Sequence, residues 1–326
     1  MDPRVSVVIP VHNTAPYLEQ CIGSVLDQTL RDLEVIAVDD ASTDDSLSIL
    51  RRLEAADSRV RVIAAPSHIG VSAARNAGID AARADYVYFL DSDDWIDADY
   101  LEKMLEKALE TGQAVVVNSN YIEEFPNRQV YHGRHGFMQV DAAFYPVDIV
   151  QSRLLSAMMN RLYSRRYLNE NGIRFPLVEG GGEDTCFCSL AEVLQPRSYV
   201  FRGPYYHYRQ RSDSVFHIRP RGSFSYIENY RILFDELRKR QVPLDGLALF
   251  HTGHLVIDSE EQFDFLRALL LDLEPQMRAN SELYSRHDWM LLDVLHECPD
   301  YATFLAGHSP QITSEFIRVL WKNHQL

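Results

Sequence analysis

Between residues 5 and 120, short apolar runs alternate with amphipathic ones, and that rhythm constrains the fold more than any other feature of the 326-residue chain. "VSVVIP" (5–10), "LEVIAVDD" (33–40), "VRVIAA" (60–65), "YVYFL" (86–90) and "AVVVNSN" (114–120) read as strands rich in β-branched and aromatic residues. Between them, "APYLEQCIGSVLDQ" places Leu18, Ile22, Val25 and Leu26 on one helical face. "DDSLSILRRLEAA", "VSAARNAGIDAAR" and "DADYLEKMLEKALE" repeat the helical pattern. Pro10 is expected to stop the first strand, and Thr43 or Asp44 to cap the second helix. Strands that are apolar throughout must be covered on both faces, so the pattern predicts an α/β fold with a mostly parallel sheet flanked by helices. Such sheets gather ligands at the carboxyl ends of their strands. The acidic clusters "VDDAST" and "LDSDDW" follow the second and fourth strands and should open on that edge.

Beyond about residue 125 the chain turns irregular and aromatic. "SRRYLNENGIRF" reads as a helix ending at Asn171-Gly172. "EDTCFCSLAEVL" reads as another, with Glu183 and Asp184 at its electropositive start, and "SYVFR" and "YYHYRQR" read as short strands. From about 223 onward "SYIENYRILFDELRKR", "LALFHTGHLVI", "EEQFDFLRALLLDL" and "DWMLLDVLHEC" are helical. Leu266, Leu269, Leu270 and Leu273 are expected to pack on the preceding domain or on a second subunit, which would make a homo-oligomer. The expected organisation is an α/β domain over 1–222, divided near residue 120, then a helical C-terminal region over 223–326.

Thirty-two basic against forty-seven acidic residues give a net charge of −15, which argues against nucleic acid as a partner. The four cysteines offer no second close pair to complete a zinc site, and no apolar run reaches the roughly 18 residues that cross a bilayer. The expected location is cytoplasmic, with peripheral contact at the inner face of the plasma membrane as a further option. For Asp44, Asp45 and Asp97, helix capping is explanation enough. Asp39, Asp91 and Asp93 need more, because carboxylates converging on one sheet edge raise each other's pKa unless a cation neutralises them. A divalent cation with hard oxygen ligands is the natural partner. No G-x-G-x-x-G follows the first strand, which removes a nicotinamide dehydrogenase. A phosphoacceptor receiver domain would leave "ARNAG", "DSDD" and "GGGED" unexplained.

Taken in order, "VSVVIPVHNTAPYLEQCIGSVLDQTLRDLEVIAVDDASTDDS", "GVSAARNAGIDAARADYVYFLDSDD" and "GGGEDTCF" resemble a family 2 glycosyltransferase over about residues 4–215. The arrangement is similar to bacterial enzymes that glycosylate wall teichoic acid or assemble capsule and lipopolysaccharide glycans. The resemblance implies a GT-A fold and an inverting transfer from a UDP-sugar to a glycan or lipid-linked glycan acceptor, with residues 1–222 as the catalytic domain, its nucleotide-sugar half at about 1–120 and its acceptor half at about 121–222. It implies that Pro10, Val11 and His12 line the nucleotide pocket, where the family more often has Tyr or Phe in place of His12. It gives Asp39 the uracil ring nitrogen, Arg75 and Asn76 the base or diphosphate, Asp91 the ribose and Asp93 the metal, Mn2+ or Mg2+. Ser92 completes that turn and need only be small, and Asp94 supports it. Asp184 becomes the base, assisted by Glu183. Arg209 and Arg211, a basic cluster in an acidic chain, suit the diphosphate. His207 is a candidate metal ligand, Ser214 fits a mobile loop, and Asn160 with Arg161 is a candidate sugar contact. The alternative is an inactive nucleotide-sugar or glycan-binding module of the same fold.

Overall fold

The computed structural model describes residues 2–132, 142–144, 158–177, 182–195, 197–211, 227–242, 259–279, 281 and 286–307. Ser214 and the expected helix "LALFHTGHLVI" lie outside them. The chain divides into two compact units, Met1–Leu177 with Phe187–Ser214, and Val178–Cys186 with Val215–Leu326.

The first unit is built on an eight-stranded sheet. Its strands are β1 (Val5–Val11), β2 (Leu33–Asp39), β3 (Val60–Ala64), β4 (Tyr86–Phe89), β6 (Val115–Asn118), β9 (Ala142–Phe144), β10 (Arg161–Ser164) and β11 (Ser198–Phe201), in the order β3-β2-β1-β4-β10-β6-β11-β9. Strands β3, β2, β1 and β4 run parallel, as do β6 and β11, whereas β10 is antiparallel to both β4 and β6. Every residue of β1 and β2 is buried, as a sheet covered on both faces requires. On one face, Val5, Val7, Ile9 and Val11 join Leu18, Ile22 and Val25 of helix α1 (Ala15–Leu26) and Leu50 of α2 (Ser46–Ala56). On the other face, helix α3 (Val71–Ala81) brings Gly78 down onto Val8. Phe89, Tyr163, Phe175 and Phe187 form a separate aromatic cluster, with Phe175 and Phe187 stacked at 3.9 Å.

Pro10 does not stop β1. Strand β4 pairs only with Val5–Val8, so at Pro10 the sheet has a neighbour on the β2 side alone, and the missing N–H breaks no ladder. Helix α4 (Tyr100–Thr111) packs against β6 and closes at Gly112 in the left-handed region, φ 64°. Helix α5 (Arg165–Glu170) ends at Asn171 and Gly172 as its sequence suggests.

A second sheet holds β5 (Trp95–Ile96), β12 (Tyr206–Arg209), β7 (Tyr121–Phe125) and β8 (Arg128–His132) in the order β5-β12-β7-β8. It was not legible in the sequence, because β5 is two residues long and β7 and β8 mix apolar and charged positions. Helix α6 (Glu183–Val193) follows, with the unit boundary inside it.

The second unit contains α7 (Ile227–Lys239), α8 (Glu260–Ala279), α9 (Arg286–Glu297) and α10 (Tyr301–Gly307). The leucine face of α8 (Leu266, Leu269, Leu270, Leu273) is buried, and α7, α9 and α10 pack against this helix. Phe263 lies 5.3 Å from Phe304, and Arg267 donates to the carbonyls of Leu295 and Cys298. Among the described residues, no helix is long and apolar enough to cross a membrane.

Candidate active site

Strands β2 and β4 flank β1, so the loops after all three meet at one edge of the main sheet. Pro10 and Val11 are buried at the end of β1, and His12 emerges with Nδ1 2.7 Å from the carbonyl of Asp40. Asn13 sits at φ 54°, and its Oδ1 accepts the N–H groups of Thr43 (2.7 Å) and Asp44 (3.3 Å), locking the first loop to the second. Asp44 accepts from Ser46 and Ala15 N–H, which ties the starts of α2 and α1 together. Asp45 makes no capping bond with its side chain.

Asp39 ends β2 at 1% exposure. Its Oδ2 accepts the Ser42 N–H at 3.3 Å, while Oδ1 is buried without a hydrogen-bond partner. Asp40 turns the other way and accepts the N–H groups of Ile69 (2.5 Å) and Gly70 (2.9 Å), holding the approach to α3. From α3, the buried Arg75 reaches Asp91 Oδ1 at 3.0 Å, with its guanidinium 5.3 Å from the Phe175 ring. Asn76 does not turn to a ligand. Its amide donates to the Phe175 carbonyl and accepts the Phe175 N–H, both at 2.9 Å, so it anchors α3 to the segment after α5.

The turn after β4 carries Asp91, Ser92, Asp93 and Asp94. Ser92 is buried and accepts from the Thr14 hydroxyl at 2.9 Å, a fit that a larger residue would break. Strand β12 cradles the rest of the turn. Asp94 is 1% exposed and accepts the Tyr206 hydroxyl and, at 2.7 Å, the Arg209 N–H. Arg209 donates Nε to the Asp93 carbonyl (2.7 Å) and Nη2 to Gln20 (2.5 Å), and its guanidinium lies over Tyr17 and Trp95. Arg211 donates to Asp93 Oδ2 at 3.0 Å. Both expected diphosphate contacts thus rest on the acidic turn itself. Burial first, then Asp91, pushes the Asp93 carboxyl above the usual range, against the pull of Arg211. Burial, Asp93 and Asp91 raise Asp94 well above it. Burial and mutual repulsion thus disfavour the ionised forms of Asp93 and Asp94 in this turn.

His207 is not placed as a metal ligand. Nδ1 meets Glu124 at 2.7 Å and Nε2 meets Asp97 at 3.0 Å, so neither nitrogen is left for an ion, and the ring stacks on Trp95 at 4.9 Å. Asp97 correspondingly gives its carboxylate to His207 and the Tyr205 N–H rather than capping α4. Arg161 is fully buried and paired with Glu192 at 3.0 Å, which removes it from any sugar contact. Asn160 beside it is buried, with Oδ1 unpartnered. The cradle itself (Tyr206, Trp95, Tyr17 and Gln20 around Asp93 and Asp94) escaped the sequence reading. Its one local signal was the period-two placement of His207, Arg209 and Arg211.

Glu183 and Asp184 open α6, both partly exposed, and Asp184 Oδ1 accepts the Thr185 N–H at 2.7 Å. They belong to the second unit. The four cysteines are buried.

The sequence profile of Glycosyl transferase family 2 matches residues 6–172. Glycosyltransferase GlyG of Streptococcus pneumoniae serotype 4 is 36% identical over 228 residues, 66% of this chain and 73% of that protein. Poly(ribitol-phosphate) beta-glucosyltransferase of Bacillus spizizenii is 28% identical over 312 residues. That alignment spans 92% of this chain but 46% of the relative, so the chain matches less than half of that protein. Residues 1–349 of S. aureus TarS, crystallised with UDP-GlcNAc, superpose with a TM-score of 0.65 at 21% identity, over 84% of this chain and 80% of that one, and so share the GT-A fold.

Proposed function

Because the chain belongs to glycosyl transferase family 2 and is a glycosyltransferase, we propose that it moves a sugar from a UDP-sugar to a hydroxyl of a bacterial surface glycan, inverting the anomeric carbon. The observation that carries the reading is Asp39. A carboxylate oxygen buried without a partner costs about 1–3 kcal/mol, and that cost vanishes when a ligand supplies a donor. The imide N–H of uracil is such a donor, and Pro10, Val11 and His12 would line the pocket beside it. TarS has been crystallised with UDP and with UDP-GlcNAc, which supports a donor of this class. The poly(ribitol-phosphate) beta-glucosyltransferase among its relatives supports a polymer of this kind as acceptor, and the transfer would take place in the cytoplasm, at the inner face of the plasma membrane.

The chemistry of the acidic turn fits a divalent cation. Asp93 crowds against Asp91 in a desolvated turn, and hard carboxylate oxygens select Mg2+ or Mn2+. Asp93 would hold the ion and Asp91 the ribose hydroxyls, with Ser92 keeping the turn tight. His207 drops out of the metal set. When bound, the ion stabilises the negative charge of the departing diphosphate. The chain's own residues supply the rest. Arg75 fixes the Asp91 carboxylate, Arg209 fixes the backbone of the turn, and Arg211, on Asp93, would also reach the diphosphate. Asp184 takes the proton of the acceptor hydroxyl while that oxygen bonds to the anomeric carbon and the bond to the diphosphate oxygen breaks on the opposite side. A single displacement of this kind inverts the centre. Glu183 orients Asp184 or the acceptor. Residues 1–222 would form the catalytic domain, and 223–326 its helical companion.

Thermal stabilisation by UDP tests the donor half. UDP with Mn2+ raises the Tm, UDP without metal has little effect, and NAD has none. Asp93→Ala loses the metal-dependent shift. Asp184→Asn keeps it but releases no UDP from a UDP-sugar. Stabilisation by UDP that ignored metal and survived Asp93→Ala would overturn the assignment.

A further inference from the structure

His12, Asp40 and His68 come from three separate loops, after β1, after β2 and before α3, yet meet at one point. One nitrogen of each ring and one Asp40 carboxylate oxygen all lie within 4.8 Å of one another. We propose that these three side chains form a second cation site, one that takes a borderline-soft divalent ion of the zinc class rather than Mg2+ or Mn2+.

The surroundings of each group match what ligands of such an ion require. Metal-bound histidines hold their second nitrogen in a hydrogen bond to a carbonyl or carboxylate, which fixes the ring and its tautomer. His12 does this through Nδ1 and the Asp40 carbonyl at 2.7 Å, and an ion on Nε2 would displace only the neutral Asn13 amide that stands 3.2 Å from it, where His207 would have to give up a carboxylate. A ligating carboxylate is itself oriented by donors. Asp40 is buried and fixed by the N–H groups of Ile69 and Gly70. His68 Nδ1 already stands 2.9 Å from Asp40 Oδ2, and its ring centroid is 4.6 Å from that of His12. The His68 ring is 64% exposed, so an ion can reach it from solvent.

Two imidazoles with one carboxylate are the donor set of zinc and its neighbours, whereas magnesium prefers oxygen throughout. The acidic turn at Asp91–Asp93 offers only oxygen ligands. The two sites therefore differ in metal chemistry and separate experimentally. A bound ion would also pin the 65–70 loop to the end of β2, next to Asp39. That consequence for nucleotide binding rests on the reading of Asp39 given above, but metal binding itself does not.

The test is a Co2+ titration of the untagged chain, read by the visible absorption of nitrogen-ligated, low-coordinate cobalt and by competition with Zn2+. Wild-type protein and Asp93→Ala take up one equivalent with the same affinity, and excess Mg2+ does not displace it. His12→Ala and His68→Ala each weaken binding by roughly tenfold or more. Both histidines are exposed, so these variants keep the wild-type Tm, which is measured alongside. A titration unchanged in His68→Ala, loss of the signal in Asp93→Ala, or no visible band in the wild type overturns the proposal.

Discussion

Replacing Gly78 by Ala adds one carbon where α3 meets the sheet. A Cβ built there would stand 2.2 Å from Val8 Cγ1, 2.9 Å from Cγ2 and 3.1 Å from Cβ. Ordinary carbon contacts begin near ~3.5 Å, so helix and strand must part by about 1 Å. Neither partner gives easily. Val8 is fully buried with β2 and β4 on either side, and a β-branched side chain has one stiff torsion with which to escape. Overpacking of this kind costs about 1–3 kcal/mol, with this overlap at the upper end. The better helix propensity of Ala returns about 1 kcal/mol. The net expectation is destabilisation by about 2 kcal/mol, measured as a shift of the denaturant midpoint. Because Arg75 lies one turn earlier on the same face, the displacement also loosens its 3.0 Å contact with Asp91, and UDP affinity falls with stability. The double variant Val8→Ala/Gly78→Ala removes both clashing methyls and is less destabilised than the two single effects summed. Gly78→Ala that is neutral or stabilising, or effects in the double variant that simply add, would refute the idea that this helix is seated by contact with Val8.

Two other substitutions probe the electrostatics. Arg211→Gln removes the cation that shares Asp93 with the proposed metal. A charged hydrogen bond of about 1.5–3 kcal/mol no longer competes, so Mn2+ affinity without nucleotide, measured by electron paramagnetic resonance, rises about tenfold. Weaker Mn2+ binding would place the ion elsewhere. Glu34 is buried within β2, opposite Ser6 of β1, where burial alone would raise its pKa, but bonds from the Ser6 hydroxyl and from the Arg83 N–H and guanidinium outweigh burial and hold it below the usual range. A lowered folded pKa adds stability above the unfolded value, near ~4.3, that is lost as the pH falls through the folded one. Glu34→Gln should cost about 1.5–3 kcal/mol at neutral pH and flatten the acid limb of the Tm–pH curve below ~4.3. A variant with the wild-type acid limb would show that Glu34 does not drive it.

The parallel half of the fold was readable because its signals are local. A strand buried on both faces is apolar at every position, as β1 and β2 are, and each intervening helix shows its face within a dozen residues. Asp39, Asp91 and Asp93 were legible for the same reason, since a parallel sheet forces the ends of adjacent strands to one edge. Partnership was not legible, because it depends on contacts between residues far apart in the chain. Arg161 and Glu192 look like surface charges in a sequence, and only the packing of β10 against α6 reveals a buried ion pair. Asn76 sits in a motif that suggests a ligand, but Phe175, ninety-nine residues away, takes both its groups. His207 is a plausible metal ligand until Glu124 and Asp97 arrive from two other segments. The sequence by itself determined the sheet edge and the carboxylates on it. The tertiary structure decided which polar groups those carboxylates and their neighbours face, because burial leaves each one only the partners that folding brings within hydrogen-bond reach.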